Sequence, residues 1–304
     1  MLAQAFEASV RYATSSATRV IAVEKECVMD HRTRAPRGAN VAAALVAIAV
    51  LSATMSATAA CVARSGPQAT ALVELFTSEG CSSCPPADRW LASTFRGTAS
   101  TTSIPLAFHV DYWDRLGWKD RFAAALYTER QYTAMRANRA TFVYTPQVLV
   151  QGKSIADWST GSRDRGTAPA IAVANGSPAR ADIVLDAVPQ QGAVAVKARA
   201  QVPRAVNRKD AALYVALVQS GLVSEVNAGE NAGVHLAHDH VVRTLRGGAA
   251  LDAGGAASLD VVFPVPADGG SATTIVAFVQ NPKTGDVLQA LAMPVSPETC
   301  AAAP

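Results

Sequence analysis

The sequence is poor in aromatic residues and carries little excess charge. Only 6% of its 304 residues are Phe, Trp or Tyr, and the formal net charge is +3. Residues 1–60 hold six Lys/Arg against four Asp/Glu, so the rest carries 21 against 20, a net +1. With no basic excess and no long run of like charge, no nucleic-acid or anionic-membrane partner is expected. There is no internal repeat and no low-complexity linker. Also missing are a phosphate-cradling loop, a paired-carboxylate spacing and a second nucleophile–base motif, so neither a hydrolase nor a kinase is indicated. No cofactor is expected. Half of the residues are hydrophobic, enough for one large or two ordinary domains.

Cysteine is scarce as well, with five in all, and their meaning depends on compartment. Arg32, Arg34 and Arg37 precede an apolar stretch, residues 40–60, that ends in small residues; Ala57-Thr58-Ala59 fits a small-x-small cleavage site. Residues 1–60 therefore read as an N-terminal extension and signal peptide, with Met29 as a candidate true start. The alternative is an uncleaved anchor, since the stretch is about long enough to span a bilayer, although Ser and Thr dilute its second half. Cleavage predicts a periplasmic or secreted protein with no membrane span. Thr58-Ala59-Ala60-Cys61 also resembles a lipoprotein signal that lacks the usual leucine three residues before the cysteine; a lipid anchor at Cys61 is a further alternative.

Export leaves Cys61, Cys81, Cys84 and Cys300, an even number suited to disulfides in an oxidising compartment. Cys61 and Cys300 flank the folded regions, and the simplest hypothesis is a structural bridge between them. Lipidation of Cys61, or its removal by cleavage after it, would leave Cys300 free.

Cys81-Ser82-Ser83-Cys84 has a definite local setting. Residues 69–77, ATALVELFT, read as a buried strand. Ser78-Glu79-Gly80 gives a turn, and residues 85–95 read as a helix opened by Pro85 and Pro86. The pair thus stands where a strand passes into a helix N-terminus, where unpaired N–H groups and the dipole favour a thiolate. A dithiol catalyst needs one exposed, low-pKa sulfur, expected to be Cys81, and a second to resolve the mixed disulfide. Residues 103–113 read as a second strand, 117–138 as a helix and 162–175 as a closing helix. Thr145-Pro146 stands before a β-branched strand, where a proline can be cis.

The segment 109–120, HVDYWDRLGWKD, falls at or beyond a strand end, where clefts form in α/β folds. His109 and Trp113 are candidate substrate contacts; the alternative packs Trp113 and Trp118 under the following helix, with the carboxylates capping it. From residue 177 the pattern changes to alternating strands with turn spacing, and residues 281–287 carry a hairpin signal. His235, His238 and His240 invite a metal reading; a polar segment contacting the first domain is the competing one, and no metal ligand is assigned.

Residues 73–88, 107–120, 127–132 and 143–150 carry a family resemblance. With a CxxC at a strand-to-helix turn and a Thr-Pro about sixty residues on, the chain resembles the thioredoxin superfamily. Through VELFTSEGCSSCPPAD, AFHVDYWDRLGWKD, YTERQY and VYTPQVLV it is more closely similar to the exported family known as domain of unknown function 1223. The resemblance implies an α/β thioredoxin-like domain over residues 61–176, a central mixed sheet with flanking helices. An all-β, sandwich-like subdomain over residues 177–304 follows. It implies that Cys81 attacks and Cys84 resolves, and that Pro146, with Thr145, lies against a bound polypeptide. It also implies a buried carboxylate on the strand before the CxxC. Glu74 is the candidate, one residue further from Cys81 than the pattern expects, and a salt-bridged strand residue is the alternative. The expected function is thiol–disulfide exchange with protein or small-molecule thiols. The alternatives are a scaffold in which Cys81–Cys84 is merely structural, and a metal carrier.

Overall fold

A computed structural model describes residues 60–96, 103–159, 166–268, 270–296 and 300. The expected leader, with Met29 and the expected cleavage site at residues 57–59, lies outside the described residues. The chain order is β1 (Cys61–Arg64), β2 (Ala71–Thr77), α1 (Pro85–Thr94), β3 (Ser103–His109), α2 (Ala125–Ala137), β4 (Gln147–Val150), β5 (Lys153–Ile155) and α3 (Thr167–Asn175). There follow β6 (Asp182–Gln190), β7 (Ala193–Gln201), β8 (Ala212–Ser220), β9 (Leu222–Val226), β10 (Val234–His238), β11 (Val241–Ala250), β12 (Ala256–Pro264), β13 (Ala272–Gln280) and β14 (Val287–Pro294).

The organising element is an eight-stranded mixed sheet in the order β14-β13-β8-β11-β3-β2-β4-β5. β2 lies between the parallel β3 and the antiparallel β4. All seven of its residues are buried, because a central strand covered on both faces needs a continuous apolar run. Alternation then sorts its side chains. Leu72 and Phe76 face α2 and pack with Leu106, Phe108 and Tyr127. Val73 and Leu75 face the other way and pack against Ala87 and Leu91 of α1, and Ile171 of α3 packs against the same cluster.

The expected boundary near residues 175–178 coincides with the end of α3, and the strands beyond it do alternate, as β6 shows by burying Ile183, Leu185 and Ala187. The sheet, however, runs through that boundary. β8, β11, β13 and β14 join it at β3, where Val241 sits beside Ala107 and the Ala107 amide donates to His240 O at 2.8 Å. The described residues accordingly form one compact unit. A separate antiparallel sheet, β1-β6-β7-β12, covers the later strands on the face opposite α2. Its inward residues pack with Leu213, Leu217, Ile275 and Met293 to complete a sandwich. Cys61 and Cys300 are bonded in this second core, their Cα atoms 4.5 Å apart.

Two expectations are corrected. The helix expected over 117–138 begins only at Ala125, because the Asp120 side chain ties the preceding residues into a loop. It accepts from Phe122 N at 2.9 Å and reaches back to Glu79 and His109. The strand expected over 103–113 ends at His109, and Asp114–Leu116 form a short 3-10 turn instead. Of the closing helix expected over 162–175, the described part is α3.

Candidate functional site

Cys84 is the N-cap of α1 and Pro85 and Pro86 fill its first two positions, where a missing N–H costs nothing. The Ala87 and Asp88 amides donate to Cys84 O, and the Cys84 amide to Cys81 O at 3.1 Å. This turn brings Cys81 and Cys84 to a Cα separation of 5.4 Å, and they are disulfide-bonded. Thr145, beside the cis peptide to Pro146, donates its hydroxyl to Cys81 Sγ at 3.3 Å and accepts from Trp113 Nε1 at 2.8 Å. Ser83 Oγ lies 3.4 Å from the same sulfur. Cys81, Cys84, Thr145, Pro146 and Trp113 are thus brought together from three segments.

Glu74 is not among them. It projects to the α2 face, where Arg130 Nε donates to it at 2.7 Å and a second guanidinium nitrogen pairs with it. Arg130 also lies over the rings of Phe108 and Phe278. Strand parity decides this: Glu74 and Thr77 are three apart, so they face opposite ways. The salt-bridged alternative describes Glu74. It lines a cavity of about 220 Å³ with Arg130, Tyr214 and Gln280, across the sheet from α1.

Behind the CxxC turn lies a buried ionisable cluster instead. His109 shares a face with Thr77, its register partner on β2. Its Nδ1 is 2.7 Å from Asp120 Oδ2, and that carboxylate also accepts from Glu79 N at 2.9 Å. Glu79 takes Trp118 Nε1 at 2.7 Å and lies 3.2 Å from His238 Nε2. The two histidine rings meet edge-on at 5.1 Å. His109, Asp120, Glu79 and His238 are each at most 3% exposed. Burial works against the charges of His109, Asp120 and Glu79, yet their interactions outweigh it. His109 is raised by the charge and hydrogen bond of Asp120, Asp120 is lowered by His109, and Glu79 is lowered by His238. Asp88, one turn after Cys84, is pushed up by burial against the weaker pull of His109 and His238. Such a cluster can hold and exchange protons directly behind the disulfide.

The three C-terminal histidines do not converge. His235 is exposed opposite Glu225, His238 is buried against Glu79, and His240 turns the chain with φ 59°. Among the described residues no group of three or more His, Cys, Asp or Glu is placed to hold a metal ion.

The expectation of an exposed Cys81 is overturned: both cysteines are 0% exposed. A loop far along the chain bonds to this turn. Glu230 accepts from Ser82 N at 3.1 Å and Ser82 Oγ at 2.7 Å. Asn231 Nδ2 donates to Glu79 O at 2.8 Å and Cys81 O at 3.0 Å. No local signal marks these two residues. Asp88 did carry one, four residues after Cys84 and so on the same helix face.

A family model described as a protein of unknown function, DUF1223, matches residues 72–280. The crystal structure of protein AGR_C_4864 from Agrobacterium tumefaciens is similar at 24% identity, over 75% of this chain and 95% of that one, with a TM-score of 0.50. HBP35 of Porphyromonas gingivalis is similar at 15% identity, over 76% of each chain, with a TM-score of 0.53. No curated protein matches the chain.

Proposed function

We propose that this chain, which belongs to the DUF1223 family of proteins of unknown function, is an exported thioredoxin-like thiol–disulfide oxidoreductase whose working bond is Cys81–Cys84. The observation that carries the reading is a disulfide at the N-terminus of α1 with the Thr145 hydroxyl 3.3 Å from Cys81 Sγ. A client thiolate attacks Cys81 Sγ, the S–S bond breaks, and the electron pair leaves on Cys84. A second client thiolate then attacks the client sulfur of the mixed disulfide, and the pair leaves on Cys81. The client is oxidised by two electrons and the enzyme becomes a dithiol; the reverse order reduces a client.

The helix N-terminus favours the Cys81 thiolate. Thr145 and Pro146 lie where a client, a protein or a small thiol, would approach, and Trp113 holds Thr145. Proton handling, expected of Glu74, passes to the cluster behind the turn, with Asp88 nearest Cys84 along the helix. The leader and the two disulfides support a periplasmic or secreted location. No helix among the described residues is long and apolar enough to cross a membrane.

One observation favours a second reading. Complete burial of both sulfurs suits a scaffold whose Cys81–Cys84 bond is structural. Cys84→Ser and Cys81→Ser, each expressed with its own leader, separate the two. The oxidoreductase accumulates mixed disulfides with client thiols in Cys84→Ser and not in Cys81→Ser, visible as reductant-sensitive adducts. Adducts in neither variant would leave the scaffold.

A further inference from the structure

The turn that carries the disulfide is bonded by a hairpin that belongs to neither main sheet. Among the described residues β9 and β10 pair only with each other, and an isolated two-stranded hairpin is marginally stable by itself. Its base is fixed. Leu222 packs with Phe122 and Val241, His238 is buried against Glu79, and Arg121 donates to Val223 O at 2.7 Å. Its connecting residues 227–233 differ: they reach the CxxC through the polar side chains of Glu230 and Asn231. Gly229 and Gly233 flank these two at φ 74° and 82°, backbone that glycine adopts without strain.

We propose that residues 227–233 are an autoinhibitory flap, closed over the oxidised Cys81–Cys84 bond and opened when that bond is reduced. The inference rests on reading Cys81–Cys84 as an exchangeable disulfide. An attacking sulfur must approach along the S–S axis, and a bond whose sulfurs have no exposed surface offers no such approach. Ser82 and Ser83 are exposed between the two cysteines, so the turn itself lies at the surface and the sulfurs are shielded by what stands over them. Thr145 and Trp113 close one side of the turn, while Glu230 and Asn231 hold the flap on it.

The coupling to redox state is electrostatic. The Glu230 carboxylate binds the Ser82 amide and hydroxyl, and those bonds hold it below the usual carboxylate range. Reduction places a thiolate on Cys81, the neighbouring residue, at the same positive helix end. Two anions then compete for one set of donors and repel one another, which weakens the closed flap. By linkage, a flap that prefers the disulfide also protects it.

The experiment measures the second-order rate at which dithiothreitol reduces the Cys81–Cys84 bond in the full mature protein. Wild type is compared with Glu230→Gln and Asn231→Ala, with thermal melting as the check on folding. Both variants are expected to react at least tenfold faster than wild type, and Glu230→Gln to lower the pH midpoint of Cys81 alkylation in the reduced protein. Rates unchanged in both would overturn the flap. If Asn231→Ala fails to fold, Ser82→Ala replaces it, since it removes the shorter bond to Glu230 from an exposed position; an unchanged rate there overturns the flap equally. Hydrogen exchange of amides 227–233 supplies the redox arm: faster exchange in the reduced protein is expected, and equal exchange would overturn the coupling. The reduction rate reports access to the bond, so it succeeds or fails whether or not Cys84→Ser traps a client.

Discussion

Asp120 serves three donors at once, and its position shows how the site is held. One carboxylate oxygen takes His109 Nδ1 and the Glu79 amide, and the other takes the Phe122 amide. Its donors and the His109 charge favour the ionised form of this buried carboxylate, which in turn favours protonation of His109. His109 is raised above its ordinary value of 6.5, so its contribution to stability is complete below 6.5 and fades as pH rises through the raised value. Asp120 is lowered below its ordinary 3.8, so its contribution is complete above 3.8 and is lost as pH falls through the lowered value. The stability difference between wild type and the double variant His109→Gln/Asp120→Asn should therefore be largest between pH 3.8 and 6.5 and shrink on both sides. Denaturant melts across pH measure it, with Asp88 unchanged in both proteins. A difference that is flat with pH would mean the pair is not charged.

Helix α2 is held to the sheet by a pair that the sequence left open to a catalytic reading. Arg130 reaches from α2 to Glu74 on β2 and to Gln280 on β13, and lies over Phe108 and Phe278, thereby bridging strands from both parts of the sheet. Removing one partner of a buried ion pair leaves the other uncompensated, which costs about 3–5 kcal/mol. Glu74→Ala should destabilise the protein by about that amount in denaturant melts. It should leave the pH midpoint of Cys81 alkylation in place, because the sheet lies between Glu74 and α1. A shifted midpoint would return Glu74 to the proton-handling role. A second close contact lies in the same region. Gly152, in the β4–β5 turn, has φ 75°, and a Cβ there would come within 1.9 Å of Gly285 O in the β13–β14 turn. This approach brings the turn of the early strands against that of the late ones.

At the scale of the molecule, the Cys61–Cys300 bond joins residues 239 apart in sequence. It fastens β1 at the edge of the four-stranded sheet, within a core that also contains β6, β13 and β14. Closing a loop of that length restricts the unfolded chain by roughly 5 kcal/mol in the entropic account, an upper figure. The Cys61→Ser/Cys300→Ser variant should therefore melt at lower temperature and lower denaturant. Its Cys81–Cys84 bond should be reduced by dithiothreitol at the wild-type rate, since that bond follows β2, which β13, β8, β11 and β3 separate from β14 in the eight-stranded sheet. A Cys300 thiol found free in protein exported by its own leader would remove the bridge from the native protein.

Much of this molecule was legible from local pattern. The all-buried run of β2, the prolines that open α1, the CxxC between them and the alternation of β6 and β7 are properties of neighbours in sequence. Backbone sterics and side-chain periodicity act over a few residues. The pairing of Cys61 with Cys300 followed from counting thiols in a chain expected to be exported. Other features depended on which distant segments meet. Glu74 faces α2 because strand parity and Arg130 put it there. The helix expected from residue 117 starts at Ala125 because Asp120 is claimed by His109 and by a turn some forty residues earlier. The turn of Cys81 is bonded by Glu230 and Asn231, about 150 positions later. A sequence records what each residue prefers for itself and its neighbours. Which partner satisfies a buried charge, and which surface is finally covered, is decided only when the tertiary fold brings non-local groups within bonding distance.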